Sequence, residues 1–131
     1  MRVAVRTEHG VFVVDLETEE LLDLDAEVPA SGDGAPRVEL PRVVAAAASG
    51  STVVAVVDRR PPLVVSHDAG RTWREAGGGL PAGFAVAIAE DDPDVVVYAS
   101  RNRLHVSTNG GVFWRALSAE LPEIEALALE S

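Results

Sequence analysis

The chain has no cysteine and no lysine. Without cysteine, neither a disulfide framework nor a thiolate metal site can be built. No apolar run is long enough to cross a bilayer: Val53 to Val57 is among the longest, against the roughly 20 residues that a spanning helix needs. The start, Met1-Arg2-Val3-Ala4-Val5-Arg6-Thr7-Glu8, lacks the apolar stretch and cleavage site of a secretory leader. A soluble, cytoplasmic protein away from membranes is the expectation. Phosphate-binding loops are missing too, since Gly77-Gly78-Gly79 is followed by neither a lysine nor a helical pattern. The three histidines, His9, His67 and His105, show no ligand spacing. No metal and no cofactor is expected.

What is present is a repeat. Ser66-His67-Asp68-Ala69-Gly70-Arg71-Thr72-Trp73 returns, altered, as Ser107-Thr108-Asn109-Gly110-Gly111-Val112-Phe113-Trp114, 41 residues later. The residue types suit a tight turn. A short polar side chain such as Asp68 or Asn109 bonds its own nearby backbone, while Gly70 or Gly111 supplies a conformation closed to other residues. The Trp then packs its large face under the turn. A period near 40 residues, each unit holding several short strands, points to propeller blades.

The pattern S-x-D-x-G-x-T-W resembles the Asp-box, or BNR, repeat of sialidase-like β-propellers. Ser66, Asp68, Gly70, Thr72 and Trp73 fit every fixed position. Ser107, Asn109, Gly111 and Trp114 fit with Asn in place of Asp and Phe113 in place of Thr. The resemblance implies a structural role for the boxes, at the turn between the third and fourth strands of a blade and away from the ligand face. It also implies what a sialidase-type hydrolase would need: an arginine cluster, a nucleophilic Tyr with a Glu partner, and an Asp acid/base. The only tyrosine, Tyr98, lies mid-strand in a valine-rich run and reads as a core or sheet residue. Carboxylates are plentiful, but no feature singles out a glycosidase pair. No enzyme is expected.

Aligned on the boxes, a chain of 131 residues forms one all-β domain of three four-stranded units. Blade 2 is 43–76, with strands at 43–48, 52–57, 63–66 and 71–75. Blade 3 is 84–117, with strands at 84–90, 95–100, 103–107 and 112–117. Blade 1 is 124–131 plus 1–24, with its innermost strand at the far end of the chain. Leu22 stands in its Trp position, and its turn at 15–19 has lost the box. The connection 25–42 carries about ten residues more than the other two blade-to-blade links and reads as a loop. A chain that opens on Met1 in strand phase is expected to be whole rather than a fragment. Three blades cannot close a ring, because propellers need four or more. The expected solution is a homodimer of six blades in which residues 124–129 of each chain complete the first blade of the other.

Charge supplies the rest. All 11 basic residues are Arg, set against 21 acids, for a net charge of −10. An acidic, lysine-free chain rich in Ala and Val resembles proteins of salt-loving archaea, whose charge is screened at molar salt. A GC-rich genome favouring arginine codons accounts for the same composition. The arginines are unevenly placed. Arg6, Arg59, Arg60, Arg101 and Arg103 fall in or beside the second-to-third strand loops, and Arg37 and Arg42 in or beside the long connection. With eight nearby acids these seven leave about −1, whereas the other four Arg and thirteen acids leave −9. Together with His9 they mark a candidate partner-binding face. Arginine forks suit phosphate or carboxylate. Local pairing with the neighbouring acids is the alternative. The expected function is a non-catalytic binding or scaffold propeller presenting that face to an anionic or protein partner, with a sialidase-like glycan hydrolase as the rival.

Overall fold

The computed structural model describes residues 1–23, 38, 40 and 42–130. Among them are twelve strands: β1 (Arg2–Thr7), β2 (Gly10–Asp15), β3 (Leu21–Asp23), β4 (Val43–Ser49), β5 (Thr52–Val57), β6 (Leu63–Ser66), β7 (Arg74–Ala76), β8 (Ala85–Ile88), β9 (Val96–Ala99), β10 (Leu104–Ser107), β11 (Arg115–Ala116) and β12 (Ile124–Glu130). They pair antiparallel in three four-stranded sheets, ordered β12-β1-β2-β3, β4-β5-β6-β7 and β8-β9-β10-β11; these are the first, second and third sheets below.

In the second and third sheets the middle strands lie within the expected ranges, while β8, expected over 84–90, and the outer strands fall short. β7 starts at Arg74 rather than 71, and β11 is two residues rather than six. The turns account for this. Thr72 N donates to Asp68 Oδ1 at 2.8 Å and Phe113 N to Asn109 Oδ1 at 3.0 Å, so these amides cannot serve a strand ladder.

The exchange expected between two chains is made within one. β12 pairs with β1 of its own chain, with Val3 opposite Leu129 and Val5 opposite Leu127. A connection of seven residues, 117–123, leads from β11 into β12. This short link places the first sheet directly after the third. β8 packs between β4 and β12, so the spatial order is second, third, first.

The apolar runs follow from this order. Along β9, Val96 and Tyr98 face the second sheet's core while Val97 and Ala99 face the first sheet's. Along β5, Val54 and Val56 point to the third sheet, and Ala55 and Val57 to the other side. A strand covered on both faces needs apolar residues at every position, which erases the usual alternation. On its far side the second sheet buries Ala55, Val57 and Val64, with Val38 and Leu40 of the connection packed there. No helix among the described residues is long and apolar enough to cross a membrane.

Each repeated turn is closed by side chains. Ser66 Oγ accepts from Gly70 N at 2.8 Å, and Ser107 Oγ from Gly111 N at 2.9 Å. Trp73 Nε1 and Trp114 Nε1 donate to the carbonyls of Gly70 and Gly111, both at 3.0 Å. Asp68 also accepts from the hydroxyls of Thr72 (2.6 Å) and Ser66 (2.7 Å). In the first sheet the boxless turn keeps the same logic in reduced form, with Asp15 Oδ1 accepting from Glu17 N and Thr18 N. The arginine after each Trp has a role that the sequence reading missed. Arg74 Nη2 donates to Gly110 O of the third sheet's turn at 3.1 Å, and Arg115 Nη2 to Leu16 O of the first sheet's turn at 2.8 Å. The twice-repeated Trp-Arg dipeptide was the available signal.

Removing residues 124–131 is expected to unfold or aggregate the chain, because it strips the innermost strand and opens β1 as an edge; circular dichroism and size exclusion of the truncated chain would check this. The Asp68 carboxylate should make stability acid-sensitive. Hydrogen bonds from Thr72, through its hydroxyl and then its amide, and next from Ser66, hold its pKa well below the usual aspartate value of 3.8. The unfolded chain therefore binds this proton first. The stabilisation is complete above about pH 4 and is lost as pH falls below that value. Asp68→Asn, which mimics the second turn, should lower the thermal midpoint near neutrality and flatten its decline in acid.

Candidate functional site

The loops joining β1 to β2, β5 to β6 and β9 to β10 lie at the end of the sheets opposite the Trp turns, together with the sheet-to-sheet connections. Three of the seven candidate arginines meet acids there. Arg6 Nε lies 3.6 Å from Glu125 Oε1, Arg101 Nε 3.9 Å from Glu123 Oε1, and Arg103 Nη2 3.0 Å from Glu120 Oε1. His9 lies beside Glu8 at 3.5 Å. Exposed pairs of this kind contribute about 0–1 kcal/mol each, but they spend the charge locally. These residues pair locally with neighbouring acids.

The second sheet differs. Arg59 and Arg60 are exposed and have no ion pair among the described residues. Arg42 sits beside them: its carbonyl accepts from Asp58 N at 2.9 Å, and its φ is +63°. Arg37 lies outside the described residues. Between the β5–β6 loop and the connection from β7 to β8 is a cleft of about 260 Å³. Val44, Val57, Leu80 and Pro62 give it apolar walls, Ala82 and Gly83 contribute the far side, and Asp58, Arg59 and Arg60 form a charged lip.

Both walls are fixed by hydrogen bonds. Val57 N donates to Pro62 O at 2.8 Å, closing the β5–β6 loop. Leu80 N donates to Gly77 O at 3.0 Å, and Phe84 N to Ala99 O at 2.9 Å. Tyr98 reaches the same wall from the core, its hydroxyl donating to Pro81 O at 2.6 Å. Burial pushes its pKa up to about 12, so it remains a neutral donor. This is the core position read from the sequence, with a positioning task added. Gly83 allows the close approach, since a Cβ built there would collide with the Tyr98 ring. His105 packs against Tyr98 with ring centroids 5.9 Å apart, its Nε2 3.4 Å from Ser100 Oγ. Burial, and then the Arg103 charge, lower its pKa and favour the neutral ring. Among the described residues no three His, Asp or Glu side chains gather as metal ligands do.

No protein-family model matches the chain, and no curated protein does. Solved structures do. The chain is similar to the GH74 enzyme of Niastella koreensis at 22% identity and a TM-score of 0.52, covering 90% of this chain and 17% of that one. It is similar to YCF48 of Cyanidioschyzon merolae at 22% identity and a TM-score of 0.52, covering 89% of this chain and 33% of that one. Both are β-propeller proteins, so the fold is β-propeller-like, and the chain spans a third or less of the length of each.

Gly83→Ala should drive Tyr98 from its place and deform the cleft wall, at a cost of about 1–3 kcal/mol for an overpacked site. Chemical denaturation, with amide shifts followed at residues 77–84, would check both effects.

Proposed function

We propose that this chain is a non-catalytic binding scaffold of the Asp-box type, and that two copies form a six-bladed ring whose arginine-bearing loop face holds an anionic partner. The supporting observation is the contrast between loops. Arg6, Arg101 and Arg103 are neutralised by neighbouring acids, while Arg59 and Arg60 edge a cleft whose one lining acid, Asp58, shares their lip and forms no ion pair with either among the described residues. The turn chemistry supports the Asp-box assignment, because the Ser, Asp or Asn, Gly and Trp of both copies bond within the turns, remote from the cleft. The buried, hydrogen-bonded Tyr98 supports a binding role over a sialidase-like one, since it offers no exposed nucleophile.

In such a ring each half keeps its own β12, and the first sheet of one chain meets the second sheet of the other across Val38 and Leu40, which pack on that sheet's far side. Obligate interfaces begin near 2,000 Å², the area that two such seams would have to bury. At molar salt the excess negative charge of the body is screened and ceases to oppose association.

Light scattering after size exclusion in molar salt should give twice the chain mass; a stable, well-folded monomer would exclude the ring. Affinity purification at native salt, comparing the wild type with Arg59→Glu/Arg60→Glu, tests the face. Partners should be lost from the variant while its spectrum and mass are unchanged. Retention of every partner would mark the two arginines as solvated surface only.

A further inference from the structure

The third sheet displays what belongs beside the second sheet's arginines. The repeat that carries Ser66 onto Ser107 carries Arg60 onto Arg101, Gly79 onto Glu120, Leu80-Pro81 onto Leu121-Pro122 and Ala82 onto Glu123. On the third sheet, residues 120–124 lie along the β9–β10 loop. Leu121 N and Ile124 N donate to the carbonyls of Asn102 and Arg101, both at 2.8 Å. Glu123 meets Arg101 at 3.9 Å and Glu120 meets Arg103 at 3.0 Å. The segment fills its seat with both carboxylates and backbone N–H groups.

On the second sheet the loop is two residues longer, since Val56 pairs with Leu63 where Ala99 pairs with Leu104, and the two acids are gone. Gly79 and Ala82 stand in the two acid positions. Leu80 N, the counterpart of Leu121 N, turns back to Gly77 O, and among the described residues Gly83 N, the counterpart of Ile124 N, makes no backbone hydrogen bond to the β5–β6 loop. Among the described residues the carbonyls of Arg60 and Pro61, which precede β6 by as many residues as those of Arg101 and Asn102 precede β10, accept no hydrogen bond. The space left over is the cleft of about 260 Å³.

We propose that this cleft binds a short acidic peptide segment of a partner protein, seated as residues 120–124 are seated on the third sheet. A carboxylate of the peptide meets Arg60, with Arg59 beside it. Peptide N–H groups donate to the carbonyls of Arg60 and Pro61, and an apolar side chain rests on Val57 and Leu80. The carbonyls decide between ligand classes. Free phosphate has little to donate to them and would face their lone pairs, whereas a peptide satisfies the arginines and the carbonyls together. The inference rests on the binding-face reading above and names its ligand.

The test is a titration of the isotope-labelled full chain with the acetylated, amidated peptide Leu-Ser-Ala-Glu-Leu-Pro-Glu-Ile, the sequence of residues 117–124. Saturable amide shifts are expected at Asp58, Gly79 and Gly83. Arg60→Gln should weaken binding about tenfold, as loss of one charge-assisted contact does. Ala82→Glu restores within the chain the acid present on the third sheet and should abolish binding. Ala82 is exposed, so the unshifted remainder of the spectrum reports that the fold is kept. Shifts confined to other residues, undiminished binding by both variants, or full displacement of the peptide by equimolar inorganic phosphate would each overturn the peptide site. Absent peptide binding alongside partner loss from Arg59→Glu/Arg60→Glu would overturn this inference and leave the broader binding face standing.

Discussion

The structure depends on one constraint: each sheet buries both faces, and an isolated sheet supplies only one layer. Val97 and Ala99 of β9 complete a core with the first sheet, and Val96 and Tyr98 complete another with the second. Neither core exists without a neighbour. Sheet stacking is therefore the source of stability, and the loops and turns are free to differ between repeats. The pairing of β12 with β1 belongs to the same constraint, because it supplies the first sheet with the inner strand that lies against β8.

Hydrogen bonding divides the two ends of the stack into different tasks. At the Trp end, side chains are consumed by the turns themselves, and Arg74 and Arg115 spend their guanidinium groups on the next sheet's carbonyls. At the other end, the same repeat has diverged. The third sheet's loop is filled by the chain's own acids, while the second sheet's loop faces glycine and alanine. A repeat makes this contrast readable, since one copy shows the satisfied form of what the other leaves open. The similarity to two propeller proteins at 22% identity concerns the stack alone; the loops carry what is particular to this chain.

The sequence by itself determined the turns, the strands and their grouping. Ser66, Asp68, Gly70 and Trp73 act within a few residues of one another, so local chemistry fixes the turn wherever the sequence places it. The apolar runs at 52–57 and 63–66 mark strands covered on both faces, and their bounds follow from composition. The likeness of 124–129 to 84–89 likewise identified the missing inner strand. Tertiary structure decided which partners these elements take. Whether β12 joins its own β1 or another chain's is a matter of where the ends lie in space, and both choices satisfy the same ladder. Which arginines are spent and which stay open depended on Glu120 and Glu123 folding back onto one loop, while Gly79 and Ala82 leave the other bare. The latches from Arg74 and Arg115, and the approach of Tyr98 to Gly83, join residues from different elements that are adjacent only after folding. Hydrogen bonds and ion pairs act over a few ångströms, and for separated segments that proximity is a product of the fold.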